Sequence, residues 1–398
     1  MSNLTVRASV AVGAILALLS AVAHSEESPL RGGTIAYAVT NLRWATYLKP
    51  ETRVDCPQGV NDGPREQFKS LYPDDGTVRE LADTQLQREV DSWYPTTAPD
   101  RFPFREAGGA VAIGMNLDGK VGPNDFTSPE GVPGVDNQLY RALGCINSYR
   151  DAHGTNDELN SYEVVKESYN RWLIEITGVE NLTNSPHVEV NVYRGLDPLH
   201  TDATGKGILP GGTQRIDARW GARFIQHYRG RIVDGVLETE PADLAFPWSV
   251  FEVVADEYIH GARFRLKLTP TAAEGLIGGY ADIETWYLQL MRSQSTHDQS
   301  YGQLSSISLY KALRRLADGY PDPRTGANTA ISSALRAQFT QVYILPASKA
   351  ALPATASLPH YSPYAGPPFP RSASDELQGH EKDPASSSSG NGQVALKP

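Results

Sequence analysis

Six side chains that carry oxygen ligands lie in one stretch of the sequence: Asn116, Asp118, Asn124, Asp125, Glu130 and Asp136. Calcium takes six to eight oxygens from carboxylates, amides and carbonyls, and a loop rich in Gly and Pro can gather such groups around one ion. The stretch is therefore a candidate calcium site. The alternative is a loop held by turns, because Asn, Asp, Gly and Pro are also ordinary turn formers. The spacing differs from an EF-hand, since Lys120 stands where a ligand belongs.

The chain has two cysteines, Cys56 and Cys145. In an oxidising compartment an even number of cysteines predicts pairing, which here means one disulfide. Two separately buried thiols are the alternative. The sequence has no C-x-x-C-H, P-loop or G-x-G-x-x-G motif, so neither covalent haem nor a nucleotide is expected as a cofactor.

Catalytic motifs are weak throughout. The sequence has neither G-x-S-x-G nor H-E-x-x-H. A glycosidase needs only two opposed carboxylates, and three acids on predicted strands are candidates: Glu175, Glu189 and Glu252. Exposed strand faces explain these acids equally well.

Two polar groups around histidines could do acid–base chemistry. One is His297 with Asp298, which follows a predicted helix. The other is His260 with residues 256–258, which we interpret as a turn between two strands. Each is more simply explained as a local turn or cap.

The first thirty residues have the order of a secretory signal. Arg7 precedes an apolar run from Ala8 to Ala23, and the run ends in the small residues Ala21-Val22-Ala23. A positive charge, an apolar core and an A-x-A site predict export and cleavage. An uncleaved anchor is the alternative, but about 16 apolar residues are short for a spanning helix. We expect a periplasmic or secreted protein with no membrane span after cleavage.

The net charge is −10, from 36 basic and 46 acidic residues in a chain of 398. An acidic surface disfavours nucleic acid and anionic lipid as partners. From residue 346 to the end the chain has nine Pro and nine Ser in 53 residues. Such a composition does not form a packed core, so we predict a disordered tail.

The elements between these ends predict the fold class. Strands are expected at 34–39, 109–115, 172–176, 187–193, 223–228, 231–237, 248–254 and 262–268, and helices at 136–146, 159–172, 283–292 and 307–316, with a loosely helical stretch at 64–93. Short strands at these intervals are typical of an antiparallel sandwich or jelly roll with flanking helices. We therefore predict an α+β, β-rich body, with a signal at 1–25, one domain at 26–346 and the tail at 347–398.

The segments around the acidic stretch resemble an uncharacterised family of exported bacterial proteins. The resemblance rests on residues 55–59, 116–119, 134–139 and 144–145, and on the later stretches 317–323, 325–326 and 328–332. It would cover about residues 50 to 335. The resemblance implies no established activity, and so no catalytic residue.

These observations favour a secreted or periplasmic binding or accessory protein, with calcium as a stabilising ion and a carbohydrate or envelope protein as partner. Two alternatives stay open: a glycan hydrolase that uses paired carboxylates, and an assembly partner of a larger envelope complex.

Overall fold

Thirteen strands and a few short helices make up the part of the chain that the computed structural model describes, namely residues 29–48, 52–61, 104–150, 164–165, 170–205, 207–248, 256–287 and 306–345. The strands are β1 (Thr34–Trp44), β2 (Phe126–Thr127), β3 (Pro133–Val135), β4 (Trp172–Thr177), β5 (Ser185–Arg194), β6 (Gly212–Arg215), β7 (Gln226–Val233), β8 (Val236–Thr239), β9 (Ala242–Pro247), β10 (Asp256–Leu268), β11 (Ala272–Asp282), β12 (Gly319–Pro321) and β13 (Asn328–Leu345). The helices are α1 (Thr52–Asp55), α2 (Gln138–Leu143), α3 (Asn147–Arg150) and α4 (Ser306–Leu316), with a 3₁₀ helix at Ala218–Phe224.

Eight of these strands form a closed antiparallel barrel in the order β1-β4-β5-β7-β8-β10-β11-β13, and β13 returns to β1. The prediction of an α+β, strand-rich body with antiparallel pairing is confirmed. The prediction of a sandwich or jelly roll is wrong, because the sheet closes on itself. The long strand β13 closes it, since it pairs with β11 along one edge and with β1 along the other.

The barrel interior is filled by apolar side chains. Each barrel strand contributes at least one fully buried member: Tyr37, Ile174, Val190, Tyr228, Leu237, Phe264, Ile277 and Leu335. Eight strands enclose a space just wide enough for side chains or for one small ligand. Three further strands of this sheet lie outside the closed barrel: β6 pairs with β13, β9 with β10 and β12 with β13.

Several strand predictions are confirmed, namely 34–39, 172–176, 187–193 and 262–268, which lie in β1, β4, β5 and β10. The predicted strand at 231–237 is instead the hairpin of β7 and β8. Its turn is Asp234-Gly235, and both residues have positive φ, 51° and 78°. Asp-Gly is a preferred pair for such a two-residue turn, because Gly has no Cβ and Asp tolerates the left-handed region.

Other expectations need correction. Residues 109–115 form isolated bridges at Val111 and Met115 rather than a strand. Single backbone hydrogen bonds replace a continuous ladder here, as when Ala112 donates to the carbonyl of Thr127 in β2. The predicted strand at 223–228 begins in the 3₁₀ helix and becomes β7 only at Gln226. The predicted helix at 159–172 does not reach Trp172, which opens β4.

The helix predicted at 307–316 is confirmed as α4. Residues 283–287 are helical, as expected for the start of 283–292. Predictions for 1–25, 64–93, 288–292, 347–398 and most of 248–254 lie outside the described residues. Among the described residues, no helix combines the length and apolar composition that crossing a membrane requires.

Candidate functional site

One end of the barrel is lined by five aromatic rings, which we call the aromatic end: Trp44, Trp172, Phe246, Trp248 and Trp286. The rings form a continuous series. The centroid distances are 4.4 Å for Trp172–Phe246, 5.7 Å for Phe246–Trp248, 6.0 Å for Trp248–Trp44 and 6.5 Å for Trp44–Trp286. All five residues are at most 7% exposed.

The antiparallel topology brings these rings together. Trp44 is the last residue of β1, and Trp172 is the first residue of the antiparallel neighbour β4. Phe246 lies near the end of β9, which pairs with the start of β10. Successive antiparallel strands run in opposite directions, so the end of one lies beside the start of the next. The five rings therefore meet at a single end of the barrel.

Glu257 lies inside this aromatic end. It pairs directly with Phe246 across β9 and β10, and it alternates with the interior residue Ile259. Side chains two residues apart on a strand share a face, so Glu257 points into the barrel. The residue is 0% exposed, and both of its carboxyl oxygens are buried without a hydrogen-bond partner among the residues that the structure describes.

Burial, and after it the negative charge of Asp282, raises the pKa of Glu257 well above its ordinary value of 4.5. A carboxylate in apolar surroundings loses its hydration, which favours the neutral acid. The raised pKa extends the neutral acid form of Glu257 to higher pH than for a carboxyl group in water. The neutral acid has one proton to donate and further capacity to accept.

Trp172 supplies a second unpartnered group at the same place. Its indole Nε1 is buried and has no hydrogen-bond partner in the described part of the chain, and its ring contacts Phe246. Phe246 is thus the common neighbour of Glu257 and Trp172. Buried polar groups in folded proteins nearly always have a partner, so two such groups around one ring require an explanation.

The adjacent Arg171 does not pair with Glu257. It alternates with Trp172 and so faces the other side of β4, where its guanidinium donates to the carbonyls of Val164 (2.8 Å) and Val165 (3.1 Å). Burial lowers the pKa of Arg171 to about 10, which leaves it charged at neutral pH.

The outer side of the same wall carries His260, which lies between two carboxylates. Its Nδ1 is 3.7 Å from Asp243 Oδ1, and its Nε2 is 3.9 Å from Asp282 Oδ2. Burial alone would lower the pKa of His260, but the two carboxylates outweigh it and raise the pKa to about 9. Its ring stacks on Tyr320 at 4.5 Å. The two carboxylates therefore hold His260 as an imidazolium. The turn predicted at 256–260 is wrong, because these residues belong to β10.

The acidic stretch folds into a loop held by its own hydrogen bonds. Asp136 accepts from the backbone N–H of Leu117 (2.6 Å), and Asn116 accepts from that of Gly119 (2.6 Å). Asp118 Oδ1 accepts from the N–H of Lys120 (2.8 Å), which is an Asx turn. Burial, together with the charges of Asp125 and Asp118, raises the pKa of Asp136.

The remaining candidate ligands are also occupied locally. Asp125 accepts from Gly122 N–H at 2.5 Å, and the backbone carbonyl of Asn124 accepts from Gln138. A hydrogen bond from Ser128 lowers the pKa of the exposed Glu130. Within the described residues no group of three or more His, Cys, Asp or Glu side chains could hold a metal ion. Calcium binding stays a prediction, and these hydrogen bonds explain the acids without it.

The helix predicted at 136–146 is shorter in the structure, where α2 covers Gln138–Leu143. Asn137, not Asp136, caps α2, because its side chain accepts from the N–H of Tyr140. The helix ends at Leu143, so Cys145 lies just beyond it. Cys145 lies at disulfide-bonding distance from Cys56, with 5.7 Å between their Cα atoms. The predicted pairing is thus supported by the structure, and it joins the segment after α1 to the segment after α2.

Glu175 and Glu189, two of the carboxylates considered for a hydrolase, lie at diagonal positions on neighbouring strands, since Glu175 pairs with Asn191 and Thr177 with Glu189. Glu175 accepts from the hydroxyl of Tyr193 at 3.1 Å. Glu189 is exposed in an outer groove of about 750 Å³ between β5, β7 and β8. Arg231 and Glu238 pair across this groove at 3.0 Å, as cross-strand neighbours of opposite charge commonly do. Glu252, His297 and Asp298 lie outside the described residues.

Sequence reasoning missed Glu257 and Trp172 as site residues. Glu257 was placed in a turn between two strands. A signal was available in its alternation with Ile259, which is the pattern of a strand.

Comparison with protein-family models, curated proteins and solved structures gave no match.

Proposed function

We propose that this is an exported binding protein that holds a small ligand at the aromatic end of its barrel. One observation carries the proposal: the carboxyl of Glu257 and the indole N–H of Trp172 are both buried, unpartnered and adjacent to Phe246. Leaving such a group unpaired costs about 1–3 kcal/mol, and a bound molecule that pairs with both would recover much of this.

The chemistry of the surroundings limits the ligand. Aromatic rings form the walls, so the ligand presents an apolar surface to them. Trp172 can only donate, so the ligand carries an acceptor that faces it. Glu257 can donate or accept, so it tolerates more than one polar group. Binding pockets are commonly apolar with a few placed polar groups of this kind.

Export is part of the proposal and rests on the signal-like first thirty residues. The Cys56–Cys145 pair is compatible with it, because disulfides persist in oxidising compartments. We do not propose a hydrolase. Glu257 is fully buried, and its acidic neighbour Asp282 lies on the outer face of the barrel with Tyr280, next to His260. The two carboxyl groups therefore do not face each other as a catalytic pair.

Titration with cyclohexanol tests the proposal, because this alcohol has an apolar ring, one donor and one acceptor, and does not absorb where tryptophan does. We expect a saturable change in tryptophan fluorescence. Trp172→Phe and Glu257→Leu each remove one polar partner at similar volume, and each should weaken binding about fivefold to a hundredfold.

Asn184→Ala at the exposed end of the barrel wall serves as a matched control and should leave the titration unchanged. A fluorescence change that rises linearly without saturation, and equally in all variants, would be a solvent effect and would contradict a site at the aromatic end.

A further inference from the structure

The carboxyl group of Glu257 lies against the rings of the aromatic end. This combination favours a particular class of ligand. The faces of Trp and Phe rings carry negative electrostatic potential and attract cations, most strongly where water is excluded. A carboxylate adds a full negative charge to the same attraction. From the orphan carboxyl of Glu257 and the five rings of the aromatic end, we propose that the ligand is a small organic cation, a substituted ammonium that also carries an oxygen acceptor. This inference rests on the proposed function and names the ligand class.

Three cations that the structure describes near this end have partners other than Glu257. Arg171 donates to backbone carbonyls on the outer side of β4, and Arg223 pairs with Asp256. His260 lies between Asp243 and Asp282 on the outer side of β10. None of these three described cations is directed at Glu257, so we assign the positive charge to the ligand.

The other described groups near Glu257 do not supply a positive charge. Phe246 of β9 and Trp172 of β4 do not titrate, and Asp282, the last residue of β11, is itself acidic. The nearby Glu284 accepts from the hydroxyl of Tyr310 at 2.5 Å. The local field at Glu257 is therefore negative, which disfavours an anionic ligand and favours a cationic one.

The oxygen acceptor of the ligand is assigned to Trp172. Its indole N–H can only donate, and an ammonium with full substitution has no acceptor of its own. A hydroxyl or ether oxygen near the charged nitrogen supplies one. Choline has this combination, and its uncharged carbon isostere has the same shape without the charge, so the two compounds form a matched pair of probes.

Binding of a permanent cation has a defined dependence on pH. At a pH below the raised pKa of Glu257 the free protein holds the neutral acid, whereas a bound cation favours the carboxylate, so one proton is released for each cation bound. The association constant for choline should then rise about tenfold for each pH unit, as long as Glu257 is protonated in the free protein. The isostere exchanges no proton, so its affinity should not rise with pH.

The experiment is a titration of the mature protein with choline chloride and with the uncharged isostere, followed by tryptophan fluorescence at several pH values over about two units around neutrality. We expect choline to bind about tenfold or more tightly than the isostere at the highest of these pH values, with the slope described above. Glu257→Gln should remove both the slope and most of the preference for the charged probe. Glu189→Gln alters an exposed carboxylate on the outer wall and should change neither.

The outcomes separate the two proposals. If the isostere binds saturably in the wild type and choline binds no more tightly and with no dependence on pH, the cation is ruled out and the binding function stands. If neither probe nor cyclohexanol gives a saturable signal, the proposed function fails as well. The comparison of probes is made in the wild type, so it does not depend on the folding of a variant.

Discussion

Replacing Glu257 by Leu is expected to raise the free energy of unfolding by about 1–3 kcal/mol near neutral pH, because it removes a buried polar group that has no partner. Most substitutions at fully buried positions destabilise a protein, so a gain here is a distinctive result. The measurement is unfolding in urea. Glu257→Gln is the matched control, since Gln keeps the shape and the buried polar atoms and should not give the same gain.

The gain should grow with pH. Burial, followed by the charge of Asp282, raises the pKa of Glu257 in the folded protein, whereas the unfolded chain releases this proton near pH 4.5. The folded state thus binds more protons than the unfolded state above that pH. Its stability falls by about 1.4 kcal/mol per pH unit until the pH passes the raised pKa.

Glu257→Leu and Glu257→Gln both lack this slope, so the difference from the wild type widens as the pH rises. His260 has a raised pKa of about 9, and its contribution is present below about pH 6.5 and is lost as the pH rises through 9. That loss occurs in the wild type and in both variants, so it cancels in the comparison. A constant difference across pH, or a Leu variant that is less stable throughout, would show that Glu257 is partnered.

Loss of the disulfide is expected to have the other large effect. The bond between Cys56 and Cys145 closes a loop with a sequence separation of 89 residues. In the chain-entropy model such a bond stabilises the fold by about 4–5 kcal/mol. The double substitution Cys56→Ala with Cys145→Ala should therefore lower the free energy of unfolding by up to this amount.

Reduction of the wild type by a thiol reductant serves as the control for packing changes in the double variant. Both cysteines are buried in a small cluster with Ala107, Phe126 and Tyr140, which the Ala side chains only partly fill. Reduced wild type and the double variant should therefore unfold at similar urea concentrations. If reduction leaves the unfolding curve unchanged, the two sulfur atoms are not bonded in solution.

The strands that could be predicted from sequence are those with one buried face. β5 shows this well, because its buried residues Val188, Val190 and Val192 alternate with polar ones. Alternation of this kind fixes which face is inside. The hairpin turn at Asp234-Gly235 carried an equally clear signal that the sequence reading did not use.

β13 was missed for a physical reason. Its residues from 330 to 335 are all buried, because it is covered on both faces and paired on both edges. A strand in that position has no alternation, and the many Ala and Ser residues of 328–337 do not favour a strand over a helix. The closure of the barrel depends on this strand, so closure could not be predicted either.

The candidate site was missed because a β-bulge changes the phase of β10. The register shifts between His260 and Arg263, so the interior residues are Glu257 and Ile259 before the bulge and Ala262 and Phe264 after it. Alternation followed backwards from Phe264 places His260 inside and Glu257 outside, so the pattern of the predicted strand at 262–268 does not extend to Glu257. Bulges re-aim side chains in this way and are frequent at functional sites.

The protonation state of Glu257, with and without choline, is the most direct test of a ligand site at the aromatic end. It can be measured as the infrared difference spectrum between the wild type and Glu257→Gln in heavy water. At neutral pH we predict the C=O band of a protonated carboxylic acid in the wild type, and its replacement by a carboxylate band when choline is in excess. If the wild type shows no protonated-acid band, or choline leaves the band unchanged at saturating concentration, the aromatic end does not bind a cation through Glu257.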